Sequence, residues 1–268
     1  MRFRVDERLT ILELHDDALL AAVLEPQRRW AAYALCDLEP PHRQYARFVG
    51  AMRGGVLRAV VLLYCPPGFT SVLPCGAPEE VAAIMRAAEE LPEAPLLIVQ
   101  QGNRAAVETR YQIHKSWVML RMVVQPDTLA SAPGVDATVA ALGREQLSEV
   151  SRFYATWAES VFTPFMFEHG IYFGAYVEGV LAAIAGTHAL STHHEIGVIG
   201  NVYTHPNHRG KGLATAVTGA VAREVVARGA RDVALNTRED NLPAIAAYRR
   251  LGFQVEEPFW EASARLRS

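Results

Sequence analysis

"THPNHRGKGLATA", Thr204 to Ala216, sets His205, His208, Arg209 and Lys211 around Gly210 and Gly212 and runs directly into an apolar, alanine-rich segment. Glycine offers backbone with no side chain over it, and a helix that opens just after a glycine turn presents unpaired N–H groups at the positive end of its dipole. The stretch therefore has the composition of an anion cradle. Leu213, Val217, Val221 and Val225 repeat every four residues behind it. One helix face is thereby given to a sheet while the first turn stays available to a ligand.

Outward from the cradle the pattern alternates between strand and helix. A strand "EIGVIGNVYT" precedes the loop, and a helix from Leu213 to Arg228, ended by Gly229, follows it. Next come a strand "DVALNT", a helix from Leu242 to Leu251 ended by Gly252, and a last strand "FQVEE". On the N-terminal side lie a strand "ATVAAL", a helix from about Glu145 to Trp157, a short aromatic helix at "TPFMFEHG" and a hairpin from Ile171 to Leu190.

The hairpin has a counterpart in the first half. "FVGAMRGGVLRAVV", Phe48 to Val61, aligns without a gap with "YFGAYVEGVLAAIA", Tyr172 to Ala185. A second pair follows, "LLIVQQGNRAAVETRY" ending at Tyr111 and "VALNTREDNLPAIAAY" ending at Tyr248. The offset grows from 124 to 137 residues between the two pairs, so thirteen additional residues sit in the second copy, in the interval that holds the glycine loop. The chain reads as two copies of one α+β unit, of which the second alone carries the cradle. At 268 residues it has the length of two domains, at roughly 100–200 residues each. The Pro/Ser/Gly/Asp-rich stretch "QPDTLASAPGVDA" separates them, giving a first domain over 1–128, a linker over 129–136 and a second domain over 137–268.

Composition limits the functions available. Half of the residues are hydrophobic, the net charge is −3 and the pI is near 6.3, which excludes a protein whose main partner is nucleic acid. The charged N-terminal stretch "MRFRVDERLTILELHDD" has no signal-like core and "AVVLLYC" is too short to span a bilayer, so a cytoplasmic chain with no membrane association is expected. Cys36, Cys65 and Cys75 lack disulfide or metal spacing and are expected to be reduced thiols. His193, His194, His205 and His208 likewise lack ligand spacing, and no metal is expected. Among rival phosphate sites, a P-loop needs Ser or Thr where Gly212 stands, and a dinucleotide fingerprint meets Thr215 at its third glycine.

Arg209, Gly212 and Ala214 spell R-x-x-G-x-A, and "NLPAIAAYRRLGF" places Asn241, Ala244, Tyr248, Gly252 and Phe253 on the next strand-helix unit. Together, in this order and on these elements, the two motifs resemble those of the GNAT superfamily of N-acetyltransferases. The resemblance covers about Ala137 to Ala262; the first half has "PCGAPEEVAAIM" where the loop would be and looks like a degenerate copy.

The resemblance implies a mixed, bent sheet flanked by helices, in two tandem copies, with acetyl-CoA as cosubstrate and a small-molecule or peptide amine as acceptor. It implies that Arg209, Gly210, Lys211, Gly212, Leu213, Ala214 and Asn241 bind the cofactor. The backbone around Val202 and Thr204, on a strand splayed from its neighbour, would pair with the pantetheine arm and polarise the thioester carbonyl. Tyr248 is the candidate acid for the departing thiolate. Glu195 is the candidate base, one residue out of register, with His188 or a chain of waters as alternatives. Tyr154, Trp157 and "VFTPFMFEHG" lie where the acceptor pocket is expected, and core packing explains those rings equally well. Two readings stay open, an amine N-acetyltransferase and a non-catalytic acyl-CoA-binding or interaction protein. A homodimer is compatible with either, and the sequence does not name the amine.

Overall fold

A computed structural model describes residues 9–267. The first eight residues of the charged N-terminal stretch lie outside the described residues. Two units divide the chain, one made of the residues up to Met119 together with those from Pro258 onward, the other of Leu120–Glu257.

In the first unit β1 (Leu9–Leu14), α1 (Asp17–Leu24) and α2 (Ala32–Cys36) precede a hairpin of β2 (Ala46–Arg53) and β3 (Val56–Tyr64). They are followed by β4 (Ser71–Gly76), α3 (Pro78–Ala87), β5 (Leu96–Gln100) and α4 (Arg104–Glu108). The strand β6 (Tyr111–Val124) passes the division at Met119. The second unit continues with β7 (Thr138–Ala141), α5 (Leu147–Tyr154), α6 (Pro164–His169), β8 (Tyr172–Val177), β9 (Val180–Ser191) and β10 (Ile196–Thr204). Last come α7 (Leu213–Ala227), β11 (Asp232–Arg238), α8 (Leu242–Arg250) and β12 (Gln254–Leu266).

The expected mixed sheet with flanking helices is present, and both units follow one plan. The first has strand order β1-β2-β3-β4-β5-β12 and the second β6-β11-β10-β9-β8-β7. Each has antiparallel hairpins and a parallel pair, β4 with β5 and β10 with β11. A parallel pair requires a crossover, which is why α3 and α7 occupy corresponding places. The helices are set by their ends: Asp16 accepts from Leu19 N–H at 3.0 Å to open α1, Thr163 from Met166 N–H at 3.3 Å to open α6.

The side chains repeating along α7 are all core. Leu213, Val217, Val221 and Val225 are at most 2% exposed and pack with Ile199, Val233, Leu235, Tyr248 and Phe253. Each such side chain contributes roughly 1.5–3 kcal/mol by leaving water. The helix is therefore fixed by its sheet face, which leaves its N-terminus placed beside the end of β10.

Residues 129–136, expected as a linker, belong to the second unit. Ala130 N–H donates to Leu251 O at 3.1 Å, and Leu129, Ala132 and Val135 pack on the α7 core. The residues from Pro258, expected in the second domain, lie with the first, because Phe259, Ala262 and Ala264 are buried there and β12 pairs with β5 from Phe259↔Gln100 to Ser263↔Leu96. No helix among the described residues is long and apolar enough to cross a membrane.

Candidate functional site

The parallel ladder between β10 and β11 stops early. Its last pair is Ile199↔Leu235, whereas β10 runs on to Thr204 and β11 to Arg238. Beyond Ile199 the two strands part, and the β10 backbone from Gly200 to Thr204 has lost its partner on that side.

A bulge marks the same place. Gly200 pairs with Gly186 but Tyr203 pairs with Ile184, so three steps on β10 meet two on β9, and Asn201 takes φ 52°. Gly200 is required by close approach: a Cβ there would lie 2.2 Å from the imidazole of His188. Asn201 is buried, and its amide donates to Tyr172 Oη at 2.9 Å and toward Met166 Sδ at 3.6 Å. Its carbonyl accepts from the hydroxyl of Tyr154. Burial favours the uncharged imidazole and holds the His188 pKa below its ordinary value, with the neighbouring Asn201 side chain acting the other way.

The loop after Thr204 has the shape its composition suggested. A 3₁₀ turn over Pro206–His208 leads to Arg209, whose Nε donates back to Thr204 O at 3.3 Å and so ties the loop to the strand end. Gly210 and Gly212 take φ 77° and 76°, the left-handed region, and Gly212 caps α7. A side chain at Gly210 would meet nothing within 4 Å, and one at Gly212 only Val135 Cγ1 at 3.4 Å. The loop is therefore open beside the first turn of α7, whose N–H groups from Leu213 and Ala214 onward have no partner within the helix. Thr204 Oγ1 and His208 Nδ1 are buried atoms without a hydrogen-bond partner among the described residues, and both sit at this loop. Lys211 is exposed beside it.

Asn241 caps α8 by accepting from Ala244 N–H at 3.3 Å. Tyr248, on the same helix, is 5% exposed and packs in one cluster with Leu213 and Ile245. Desolvation pushes its phenol above the usual tyrosine range, and no group among the described residues hydrogen-bonds its hydroxyl. The structure thus gathers Val202, Thr204 and the residues Arg209 to Ala214 at one end of β10, with Tyr248 in the cluster under the cradle helix.

Glu195 is not part of this gathering. It occupies the turn before β10 with φ 49°, paired with Arg231 at 2.5 Å, and lies roughly 25–30 Å along the strand from Thr204 at about 3.3 Å per residue. The expectation of a base at Glu195 fails for a simple reason: the strand's two ends are on opposite sides of the sheet's length. His188, the alternative, is at the bulge.

The aromatic segment packs largely on itself. Trp157 stacks on Tyr203 at 5.2 Å and Tyr154 on Phe162 at 4.4 Å, within a cluster that includes Val150, Phe153, Phe167 and Tyr172. The network of Tyr154, Tyr172 and Asn201 was not singled out from sequence as a site. Its signal was the Gly200-Asn201 pair inside an otherwise apolar strand, a pattern that marks bulges.

The corresponding loop in the first unit is built against anions. Ala77 caps α3, Pro78 removes an N–H from its first turn, and Glu79 and Glu80 put carboxylates at its positive end, within 3.4 Å and 3.3 Å of Arg53.

Comparison with known proteins agrees with this geometry. Residues 142–253 match the acetyltransferase (GNAT) family. Over 62 residues the chain is 44% identical to a mycothiol acetyltransferase of Saccharomonospora viridis, a match spanning 22% of this chain and 20% of that relative's length. In fold, it is similar to a GCN5-related N-acetyltransferase from Kribbella flavida (TM-score 0.60, 20% identity, covering 95% of this chain and 100% of that one). It is similar also to a tandem GNAT protein from the clavulanic acid biosynthesis pathway (TM-score 0.57, 17% identity, covering 97% and 98%). The splayed strands and the left-handed glycine loop both lie within residues 142–253, the segment that matches the acetyltransferase (GNAT) family.

Proposed function

We propose that the second unit binds acetyl-CoA and transfers its acetyl group to a primary amine. The observation that carries this reading is the coincidence, at one end of β10, of a strand segment from Gly200 to Thr204 that has left its β11 ladder with an open left-handed loop at Gly210–Gly212. A diphosphate attached to a chain of amides fits such a pair of features, the first against helix N–H groups and the second against a free strand edge.

Acetyl-CoA supplies an acyl group already activated as a thioester. Arg209, Gly210, Lys211, Gly212, Leu213 and Ala214 would hold its pyrophosphate through backbone donors and local positive charge, with Asn241 fixing the helix that carries Tyr248. The backbone of Val202 and Thr204 would align the arm and offer an N–H to the carbonyl oxygen. His188, uncharged because it is buried, takes the proton that an ammonium must lose before it attacks. Tyr248 keeps its proton in the resting site, since desolvation disfavours the phenolate, delivers it to the sulfur as the C–S bond breaks, and is restored by the proton that the newly acylated nitrogen gives up.

The amine itself is not specified by these residues, and the cytoplasm is the compartment this reading assigns. A panel of amino acids, polyamines, aminoglycosides and peptides, assayed for acetyl-CoA-dependent thiol release, tests the activity. Turnover with at least one amine is expected. Binding of CoA without thiol release for any amine would favour a non-catalytic acyl-CoA-binding protein.

A further inference from the structure

The splayed strand of each unit is tied down at the same point. In the second unit the carbonyl of Asn201, two residues beyond the last parallel pair Ile199↔Leu235, accepts from the hydroxyl of Tyr154. In the first unit the carbonyl of Pro74, two residues beyond the last parallel pair Val72↔Leu97, accepts from the indole Nε1 of Trp30 at 3.1 Å. Both donors are 2% exposed, and they stand 124 residues apart, the offset of the repeated hairpin.

The need is the same in each case. Where a strand leaves its neighbour, a buried carbonyl loses its ladder partner and must find another donor. The consequence differs. The β3–β4 register is regular through Pro74, whereas at Asn201 the strand bulges in a left-handed conformation.

A peptide unit is planar and trans, so its C=O and N–H point in opposite directions. Holding the carbonyl of Asn201 therefore fixes the direction of the N–H of Val202, the next residue. The side chain of Asn201 is restrained independently by Tyr172 and Met166. Two anchors on one residue leave the Asn201–Val202 peptide little freedom to rotate.

We infer that Tyr154 is a positioning residue, whose hydroxyl sets the Asn201–Val202 peptide so that the Val202 N–H meets the acyl carbonyl oxygen. This rests on the acetyltransferase reading above. Tyr154 acts through the backbone and touches neither cosubstrate nor amine.

The test is the carbonyl stretch of bound [1-¹³C]acetyl-CoA, measured by infrared difference spectroscopy alongside kcat, KM and the CoA dissociation constant. The native protein is expected to shift the thioester band to lower wavenumber. Tyr154→Phe should return it toward the free value and lower kcat about 10- to 100-fold, less than the roughly 100- to 1000-fold cost of removing a preorganised donor outright because the Val202 N–H is misaimed and not lost, with CoA affinity within about twofold because the pyrophosphate cradle is untouched. A Tyr154→Phe protein that keeps the native band shift and kcat overturns the inference. If the native protein binds no acetyl-CoA, the functional reading itself fails, which is a separable result. Should Tyr154→Phe not fold, Asn201→Gly keeps the Tyr154 bond and tolerates the left-handed backbone while releasing the side-chain anchor. Retention of the band shift there supports the role of Tyr154, and its loss assigns the anchoring to the Asn201 side chain instead.

Discussion

The two units share a framework and differ where an anion would sit. Val72 and Ile199 end their parallel ladders at corresponding positions, and each strand beyond them is tied by a buried side chain. At the next step the first unit has Pro78, Glu79 and Glu80 on α3, and the second has Gly210, Lys211 and Gly212 before α7. The tyrosines diverge as well. Tyr111 and Tyr248 end the repeated segment, but the Tyr111 hydroxyl donates to Pro92 O at 3.0 Å while that of Tyr248 has no partner among the described residues. The splayed frame is thus common to both units, and what distinguishes the second is a short insertion and a few side chains at its open end.

The largest expected effect separates the two tyrosines. Tyr248→Phe keeps the ring and removes its proton, so kcat should fall about a hundred- to ten-thousand-fold with little change in CoA binding. Native turnover in that variant would make Tyr248 a packing residue, no different in kind from Tyr111.

His188 has no imidazole counterpart in the first unit, where the position 124 residues earlier is Tyr64. With its pKa lowered by burial, His188 is uncharged above that pKa and protonated, hence useless as a base, below it. The profile of kcat/KM should accordingly fall on the acid side with an apparent pKa below about 6.5. His188→Gln should lower kcat/KM and remove that limb; a limb that survives the substitution belongs to another group.

Gly212→Val attacks the loop that distinguishes the units. Forcing a β-branched residue to φ 76° costs about 1–3 kcal/mol, and the added methyls stand over the amides. CoA affinity measured by calorimetry should fall about tenfold or more, whereas unchanged affinity would place the cradle elsewhere. The smallest effect is expected from Tyr111→Phe, which loses one buried hydrogen bond worth about 1 kcal/mol. Its thermal midpoint should drop slightly while turnover stays native, and a loss of turnover would show that the first unit takes part in the chemistry.

Much of the frame was legible because it is local. The four-residue repeat of Leu213, Val217, Val221 and Val225 gave the face of α7, and the ungapped match of Phe48–Val61 with Tyr172–Ala185 gave both hairpins. What the sequence hid was non-local. The strand β12 read as ending near Glu257, since Pro258 breaks the pattern, yet Phe259, Ala262 and Ala264 find burial in the first unit. Glu195 was misjudged for a related reason. Its position before β10 is plain in sequence, but which end of a strand carries the site is settled by where the parallel ladder stops. The tie from Tyr154 spans 47 residues to Asn201, and no spacing rule links a helix-end tyrosine to a bulge.

The central claim, that the second unit alone holds the acyl-CoA site, is tested most directly by the stoichiometry of CoA binding to the full chain. Calorimetric titration should saturate at one CoA per chain, and Gly212→Val should weaken that one site. Two equivalents per chain, or one that survives Gly212→Val unchanged, would contradict it.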